Sequence, residues 1–403
     1  MKESKPIVVQ KYGGSSVATV EKLNKIAQYV VTRHKEGVSL VVVVSAMGET
    51  TNQLLERAHQ ISDEPNRREL DMLLTVGERI SMSLLAMAIR EHGAEAVSLT
   101  GSQSGIITTA SHSNARIMEV RPFRIQDELE QGRIVICAGF QGVSYKREIT
   151  TLGRGGSDTT AVALAAALQA EACEIYSDVD GILSADPRII REARKIDAIG
   201  YEEMQEMSAA GAKVLNATAV EFAKNNNIAI YARKTGSATP GTVIRRDVPR
   251  ASRRVRGVAH NLRVTTVEQS HVSYRTYLDF VQTMHDEEFH PKVLSFQNEN
   301  LIAVFGTEDL HRAQTLEDSI RRVLGLDCIH HDRGIVSLIG EGITEKLDLV
   351  CRGAKTVEKF EVFAMSTSRF RISWIMRDAD IEEAAQLLHN EFCTKEDTVE
   401  VMS

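Results

Sequence analysis

The run Leu40-Val41-Val42-Val43-Val44-Ser45 decides the fold class, because its five consecutive apolar residues leave no polar face for water. Such a run is typical of a central parallel strand that is covered on both faces. A similar strand begins earlier in the chain at Ile7–Val9, and the amphipathic segment Val20–Arg33 between the two predicts a helix. The order strand, helix, strand predicts the first unit of a parallel α/β sheet.

The same alternation of strands and helices continues as far as residue 245. Further strands are predicted at Ala96–Leu99, Ile134–Ala138, Glu174–Ser177 and Ile228–Tyr231. Further helices are predicted at Asn52–Ser62, Glu69–Glu91, Phe123–Gln131, Asp158–Ala172, Glu202–Met207 and Thr218–Asn225. The pattern predicts a three-layer α/β sandwich with a mostly parallel central sheet, whose ligands bind beyond the carboxyl ends of the strands.

The C-terminal part of the chain contains the order β-α-β-β-α-β twice, which is the ferredoxin-like α+β pattern in modules of roughly 70 residues. The first copy comprises Arg263–Gln269, Ser273–His285, Lys292–Gln297, Leu301–Gly306, Asp309–Leu324 and Cys328–His331. The second comprises Ile335–Gly340, Ile343–Cys351, Phe360–Ser366, Phe370–Met376, Ile381–Phe392 and Val399–Met402. We therefore expect domains at 1–245, 261–332 and 333–403, with a basic linker at 246–260, and we leave open whether the two small modules interleave.

Composition narrows the class of protein. The 403 residues carry 48 Lys and Arg against 55 Asp and Glu, a net charge of -7, which excludes a globally basic nucleic-acid binder. The Arg-rich stretch 245–256 fits a solvated linker better than a nucleic-acid patch.

The five cysteines form no C-x-x-C pair, which favours a reducing compartment. The N-terminus lacks the apolar core of a signal peptide, and the longest apolar run, Ala161–Ala170, is too short to span a membrane. We expect a cytoplasmic protein.

The first candidate site is Lys11-Tyr12-Gly13-Gly14-Ser15-Ser16, directly after the first strand. Adjacent glycines let a ligand approach the backbone, exposed amides favour an anion, and the following helix presents its N-terminus. The spacing is not that of a Walker A loop. By itself the motif is equally compatible with a plain strand–turn–helix.

The second candidate site is Thr151-Leu152-Gly153-Arg154-Gly155-Gly156-Ser157-Asp158-Thr159-Thr160. Ser157 or Asp158 could simply cap the helix that follows. Capping does not explain three glycines around an arginine, however, and Arg154 could form a bidentate pair with a carboxylate or a phosphate.

The third candidate site is Ser177–Arg188, S-D-V-D-G-I-L-S-A-D-P-R. Its acidic residues do not have the spacing of an EF-hand, and the twelve histidines form no ligand pattern, so we expect no protein-bound metal. A turn-rich loop that contacts a nucleotide fits this stretch better.

Together these motifs resemble those of the aspartate kinases, in the amino-acid kinase family. The resemblance rests on K-Y-G-G-S-S-V from Lys11, T-L-G-R-G-G-S-D-T-T-A from Thr151, the Ser177 stretch, G-A-K-V-L from Gly211 and G-T-V-I ending at Ile244. It covers residues 5–245, and the doubled C-terminal repeat resembles the tandem ACT regulatory domains of the same family. Relatives such as glutamate 5-kinase and uridylate kinase lack the glycine–arginine motif. A non-catalytic amino-acid sensor on the same fold is the alternative from another functional class.

The resemblance implies transfer of the ATP γ-phosphoryl group to the β-carboxylate of L-aspartate, the step that begins lysine, threonine and methionine synthesis. It gives Lys11 and Asp158 catalytic roles, with Asp158 orienting Lys11. It implies substrate contacts from Ser45, Thr51, Glu78, Arg154 and Ser157, with Arg154 on the α-carboxylate and Glu78 on the ammonium group. It implies nucleotide contacts from Gly13, Gly14, Ser15, Ser177, Asp178, Leu183, Arg188 and Lys213. Mg²⁺ would bridge the ATP oxygens.

Two departures from the family pattern qualify these expectations. Leu183 stands where the family often has an aromatic residue beside the nucleotide. The Pro-Gly usual in the first loop of each ACT repeat is absent at Ser270–Ser273 and at Thr344–Leu347. Since that glycine lets an amino-acid effector approach the backbone, we expect altered or weak feedback control. The resemblance further implies a homo-oligomer, a dimer or a dimer of dimers, without nucleic-acid or membrane partners.

Overall fold

The structure, a computed structural model, describes residues 5–153, 155–212, 214–248, 255–306, 313–325, 328–345 and 347–394. The chain divides into two compact units. Unit 1 takes Met1–Ile182, Lys195–Gln205 and Lys213–Pro249; unit 2 takes Leu183–Arg194, Glu206–Ala212 and Arg250–Ser403. Two short segments of the expected N-terminal domain thus belong to unit 2.

Unit 1 is built on an eight-stranded sheet in which all neighbours except β13 and β14 run parallel. In spatial order its strands are β12 (Ala198–Ile199), β14 (Thr242–Ile244), β13 (Ile230–Lys234), β9 (Ala172–Ser177), β1 (Ile7–Tyr12), β2 (Ser39–Val44), β6 (Ile134–Ala138) and β3 (Ala96–Leu99). The Val-rich run forms β2 at the centre, and its residues Leu40 to Val44 are fully buried. The predicted mostly parallel sheet is confirmed.

Helices cover both faces of this sheet. The helices in the first 245 residues are α1 (Val20–Lys35), α2 (Thr50–His59), α3 (Arg67–Leu74), α4 (Val76–Glu91), α5 (Phe123–Glu130), α6 (Gly156–Ala167), α7 (Tyr201–Ala209) and α8 (Ala217–Asn226), of which α1, α4, α5 and α6 contact this sheet. Helices α1 and α4 pack on one face, in a cluster with alternate residues of β1, β2 and β6. Helix α6 packs against β1, β2 and β9 from the other side. The three-layer arrangement is therefore confirmed.

Two helix boundaries differ from the predictions. The segment predicted as one helix at Glu69–Glu91 is two helices that meet at Thr75. The helix predicted at Asp158–Ala172 ends at Ala167, because Gln169 takes a left-handed conformation, φ 50°, and Ala172 already begins β9.

A second, four-stranded sheet of unit 1 was not predicted. Its order is β5 (Ile117–Val120), β4 (Ile106–Thr108), β7 (Gln141–Ser144) and β8 (Ile149–Thr151). Strands of three or four residues show too little alternation to be recognised from sequence. Two still shorter strands are β10 (Ile182–Leu183) and β11 (Lys195–Ile196).

Unit 2 contains a six-stranded antiparallel sheet. Its order is β16 (Val293–Gln297), β17 (Asn300–Phe305), β15 (Gly257–Gln269), β18 (Ile329–Ile339), β20 (Arg371–Arg377) and β19 (Val362–Thr367). Its helices are α9 (Tyr274–Asp286), α10 (Ala313–Leu324), α11 (Leu347–Thr356) and α12 (Ile381–His389). Helices α9 and α10 share one apolar cluster, while α11 and α12 share another that includes Trp374.

The two longest strands join the two repeats. The strands predicted at Cys328–His331 and Ile335–Gly340 are one continuous strand, β18. Strand β15 begins at Gly257 and pairs with β18 along both of its halves, with an irregularity between Asn261 and Val264. The helix predicted at Ile343–Cys351 begins only at Leu347. The predicted strand Val399–Met402 and the start of the predicted helix at Asp309 lie outside the described residues.

One helical stretch, Arg67–Glu91, passes by length and composition as a membrane span, and half of its most apolar window is buried. A core helix of a soluble protein passes the same test. Asp71 and Glu78 of this stretch are buried inside the described part of the protein, which is the arrangement of a core helix.

Candidate active site

Because side chains alternate along β1, Lys11 lies on the face of the sheet that points away from the apolar cluster of α1 and α4. Val8 and Tyr12 belong to the cluster under α1 and α4, so Lys11 faces α6 on the other side of the sheet. There its Nζ lies 2.6 Å from Oδ1 of Asp158 in the first turn of α6, and both side chains are almost fully buried. The pair fixes a cation at the carboxyl end of β1.

The glycine loop that follows β1 is held against the ends of the neighbouring strands. The amide of Gly13 donates to the carbonyl of Tyr176 at the end of β9, so this amide is already engaged. Gly48 donates its N–H to the carbonyl of Gly14, and a Cβ on Gly14 would lie only 3.0 Å from the carbonyl oxygen of Ala46. The amides of Gly14 and Ser15 have no hydrogen-bond partner within the described part of the chain. They are therefore the donors that an anion could use.

Glu78 on α4 presents a carboxylate oxygen at the end of β2. Its Oε1 accepts from the N–H of Ala46 at 3.1 Å, while its buried Oε2 has no hydrogen-bond partner among the described residues. Burial raises the pKa of Glu78 to about 7, because the charged form loses its hydration. The close contact between α4 and the residues after β2 requires a glycine at position 77, since a Cβ there would lie 2.7 Å from Cβ of Ala46. A buried, unsatisfied carboxylate oxygen is suited to receive a cationic group.

Ser45 and Thr51 lie at the two ends of the loop between β2 and α2. The N–H of Ser45 donates to the carbonyl of Tyr12, and its own carbonyl accepts from the Ser81 hydroxyl at 2.7 Å. Thr51 lies in the first turn of α2 and is partly buried. The ends of β1 and β2 thus bring Ser45 beside the glycine loop.

The glycine–arginine loop turns sharply before α6. Gly153 and Gly155 have φ values of 72° and 71°, in the left-handed region that favours glycine. Arg154, between them, lies outside the described residues. Ser157 is buried, and a Cβ on Gly139, after β6, would lie 2.6 Å from its Oγ. Ser157 therefore lies beside the carboxyl end of β6, in the same row of strand ends as Lys11.

The expected nucleotide residues are only partly brought together. Ser177 ends β9 and hydrogen-bonds Val179, and the exposed Asp178 follows it. Leu183 and Arg188 belong to unit 2, where the Arg188 guanidinium pairs with both carboxylate oxygens of Asp186. Lys213 lies outside the described residues. The nucleotide contacts of these residues remain predictions.

Three residues of this region were not predicted. The Thr235 hydroxyl lies 2.7 Å from that of Ser16 and joins the end of β13 to the glycine loop. The Lys22 ammonium donates to the carbonyl of Ser15 at 2.7 Å. Asp71 is fully buried. Sequence offered a signal for Asp71 alone, because it stands seven residues before Glu78 in the segment predicted as one helix, where the two would share a face.

Comparison with known proteins fits this geometry. The model of the amino acid kinase family matches residues 6–233. The aspartokinase of Mycobacterium bovis is 45% identical over 410 residues, covering 96% of each chain. That of Corynebacterium glutamicum is 42% identical over 405 residues, again covering 96% of each. The chain belongs to the aspartokinases of the amino acid kinase family.

A solved aspartokinase shares the fold as well. The structure of E. coli aspartokinase III in complex with aspartate and ADP has a TM-score of 0.83, covering 95% of this chain and 99% of that one, at 23% identity. At that identity the likeness supports the fold alone. In the protein described here, no group of three or more His, Cys, Asp or Glu side chains within the described ranges could hold a metal ion.

Proposed function

We propose that this aspartokinase transfers the γ-phosphoryl group of ATP to the β-carboxylate of L-aspartate, giving 4-phospho-L-aspartate, at the strand ends around Lys11. The observation that carries the proposal is the buried Lys11–Asp158 pair at 2.6 Å beside the glycine loop. Both substrates are anions, so their reacting oxygens repel one another unless a fixed cation lies between them. Lys11 is that cation, and Asp158 holds it in one position.

The aspartate substrate would be held by its two charged ends. Oε2 of Glu78 has no partner among the described residues, and it would accept the substrate ammonium group. Arg154 would form a bidentate pair with the α-carboxylate. The hydroxyls of Ser45, Thr51 and Ser157 would fix the remaining orientation. These contacts leave the β-carboxylate pointing towards Lys11.

ATP would bind with its phosphates at the glycine loop. The amides of Gly14 and Ser15 are available for phosphate oxygens, whereas that of Gly13 would first have to leave the Tyr176 carbonyl. Ser177, Asp178, Leu183, Arg188 and Lys213 would contact the rest of the nucleotide. Mg²⁺ would be carried by the ATP phosphates and would neutralise their charge, since the described residues offer no cage for it.

A non-catalytic amino-acid sensor is the alternative function. Loss of either member of the charge pair would favour that reading, because a sensor has no need for a cation at the phosphoryl position. Lys11 and Asp158 are both present and paired, so the catalytic reading is preferred.

We further propose that residues 261–332 and 333–403 are ACT-like regulatory modules. Such modules would bind an amino-acid effector, and their sheet edges would pair in a homo-oligomer. We place the protein in the cytoplasm, as expected of a soluble biosynthetic enzyme.

Trapping of the acyl phosphate tests the proposed reaction. The purified chain is incubated with ATP, Mg²⁺, L-aspartate and hydroxylamine, and the hydroxamate is measured by mass spectrometry. We expect the aspartate β-hydroxamate in an ATP-dependent reaction, and far less product with L-glutamate or with the Lys11→Ala variant. Calorimetric binding of aspartate without any hydroxamate would instead support the sensor.

A further inference from the structure

Asp71 organises a buried polar cluster that the expected site residues do not explain. It lies on α3 with 0% of its surface exposed. Its two carboxylate oxygens accept from the Thr151 hydroxyl at 2.6 Å, from the N–H of Ser113 at 3.0 and 3.1 Å, and from Nδ1 of His112 at 2.8 Å. A buried carboxylate is stable only when its oxygens are satisfied in this way. Asp71 therefore ties three separate segments of unit 1 together.

The hairpin of β7 and β8 is fastened to α3 at two adjacent points. Thr151 of β8 stands opposite Gln141 of β7 in the sheet register. Thr151 donates to Asp71, and the Gln141 side chain donates to the carbonyl of Thr75, one helical turn further along. Such a two-point attachment fixes the end of β8 in direction as well as in position.

The loop at 112–114 is held in a conformation that needs support. Ser113 has a φ of 67°, in the left-handed region, which disfavours a residue with a side chain. The carboxylate of Asp71 holds its N–H in place. The next residue, Asn114, lies against the glycine–arginine loop, since a Cβ on Gly153 would be 2.9 Å from its Oδ1. Asp71 thus fixes both the strand that leads into this loop and the segment that lies against it.

We propose that Asp71 is a positioning residue for aspartate binding, which acts through Thr151 and the 112–114 loop on the turn residues Gly153 and Gly155 that flank Arg154. The proposal rests on the proposed function, because it takes Arg154 as the ligand of the α-carboxylate. Asp71 makes no contact with substrate in this scheme. Its carboxylate sets the start of the Gly153–Gly155 turn, and small misplacements of a substrate clamp weaken binding strongly.

Asp71→Asn tests this role, because it keeps the side-chain shape but replaces one acceptor oxygen with an NH₂ donor. We expect the KM for aspartate to rise about tenfold or more, with the KM for ATP changed less than about twofold. The dissociation constant of L-aspartate, measured by calorimetry with a non-hydrolysable ATP analogue, should rise in parallel. Glu128→Gln is the matched control. Glu128 is also buried, but it lies on α5 and forms its ion pair with Arg133.

A second pair of variants serves if Asp71→Asn does not fold. Thr151→Val removes the hydroxyl that donates to Asp71, and Thr151→Ser retains it. We expect Thr151→Val to raise the KM for aspartate and Thr151→Ser to keep it near the value of the unaltered protein. Unchanged aspartate binding in folded Asp71→Asn, or equal effects of Val and Ser, would overturn the positioning role.

These results separate the two proposals. If Asp71→Asn raised the KM for aspartate and the KM for ATP in parallel and lowered the Tm, and Glu128→Gln did the same, the positioning role would be overturned. Asp71 would then be purely structural. If the unaltered protein forms no hydroxamate and binds no aspartate, the proposed function itself fails.

Discussion

Lys11 Nζ and Asp158 Oδ1 lie 2.6 Å apart, although one residue belongs to the first strand of unit 1 and the other to its sixth helix. The lysine is held by a partner that cannot be displaced without leaving a buried charge unpaired. A cation fixed in this way needs no reorganisation when charge develops on a transferring phosphoryl group.

Lys11→Ala should lower kcat by about a thousandfold or more, while aspartate still binds. The reason is that the variant removes the charge that stabilises the transition state but leaves Glu78 and Arg154 in place. Steady-state kinetics together with aspartate calorimetry check this. Normal turnover by the variant would show that the role given to Lys11 is wrong.

Arg154→Ala should raise the KM for aspartate by about a hundredfold, with a smaller effect on kcat, because a bidentate, charge-assisted pair is lost. Arg154→Lys is the matched variant, since it keeps the charge but cannot form a planar fork. We expect Lys to recover only part of the affinity. An aspartate KM equal to that of the unaltered protein in both variants would count against the clamp.

The acid limb of the pH profile should belong to Glu78. Its ionised form is needed for the substrate ammonium, and burial raises its pKa to about 7. We therefore expect kcat/KM for aspartate to fall about tenfold per pH unit below that pKa. Glu78→Gln should give a lower, flat profile, whereas Glu128→Gln should keep the acid limb. An acid limb retained in Glu78→Gln would assign it to another group.

The same pKa fixes the sign of a stability effect. A carboxyl group whose pKa is raised by folding stabilises the protein most at low pH, and this contribution is lost as the pH rises through the folded pKa of about 7. Without aspartate, the Tm of the unaltered protein should therefore fall relative to that of Glu78→Gln as the pH rises from 4.5, the ordinary carboxyl pKa, to about 7, the folded pKa, and the difference should then level off. A difference in Tm that does not vary with pH would contradict the raised pKa.

Gly77→Ala separates helix propensity from packing. Propensity alone favours alanine inside α4 by about 1 kcal/mol. A Cβ at residue 77 would lie 2.7 Å from Cβ of Ala46, so we expect a net loss of about 1–3 kcal/mol and a higher aspartate KM. Urea unfolding and kinetics measure both effects. Gly200→Ala, at a position just before α7 and outside any helix, is the control for packing alone, because its Cβ would meet Oε2 of Glu203 only at 3.6 Å.

Feedback control should be weak. His271 lies in the first loop of the first repeat, one of the two loops that lack Pro-Gly, and its φ of 60° puts a residue with a side chain in the left-handed region. We expect lysine, threonine or methionine, added singly, to inhibit by less than about twofold. His271→Gly should relieve the backbone strain and make inhibition stronger if this loop binds the effector. Strong inhibition of the unaltered protein by lysine or threonine alone would refute the idea.

Much of the fold could be predicted because its central elements carry strong local patterns. The Val-rich β2, the strand β6 and the long amphipathic helix α1 lie where hydrophobic periodicity places them. The four short strands around Thr151 and the union of two predicted strands in β18 were missed. Pairing with neighbours, and not the residues themselves, makes those segments strands.

The sequence by itself determined the family, the parallel sheet and the motifs that contain Lys11, Glu78 and Asp158, because strand periodicity and glycine-rich turns are local properties. Only the tertiary structure decided which of these groups meet. It joined Lys11 to Asp158, left Oε2 of Glu78 without a partner in the described part of the chain, and placed Asp71 beneath Thr151. Such contacts between distant segments depend on register and packing, which no short stretch of sequence encodes.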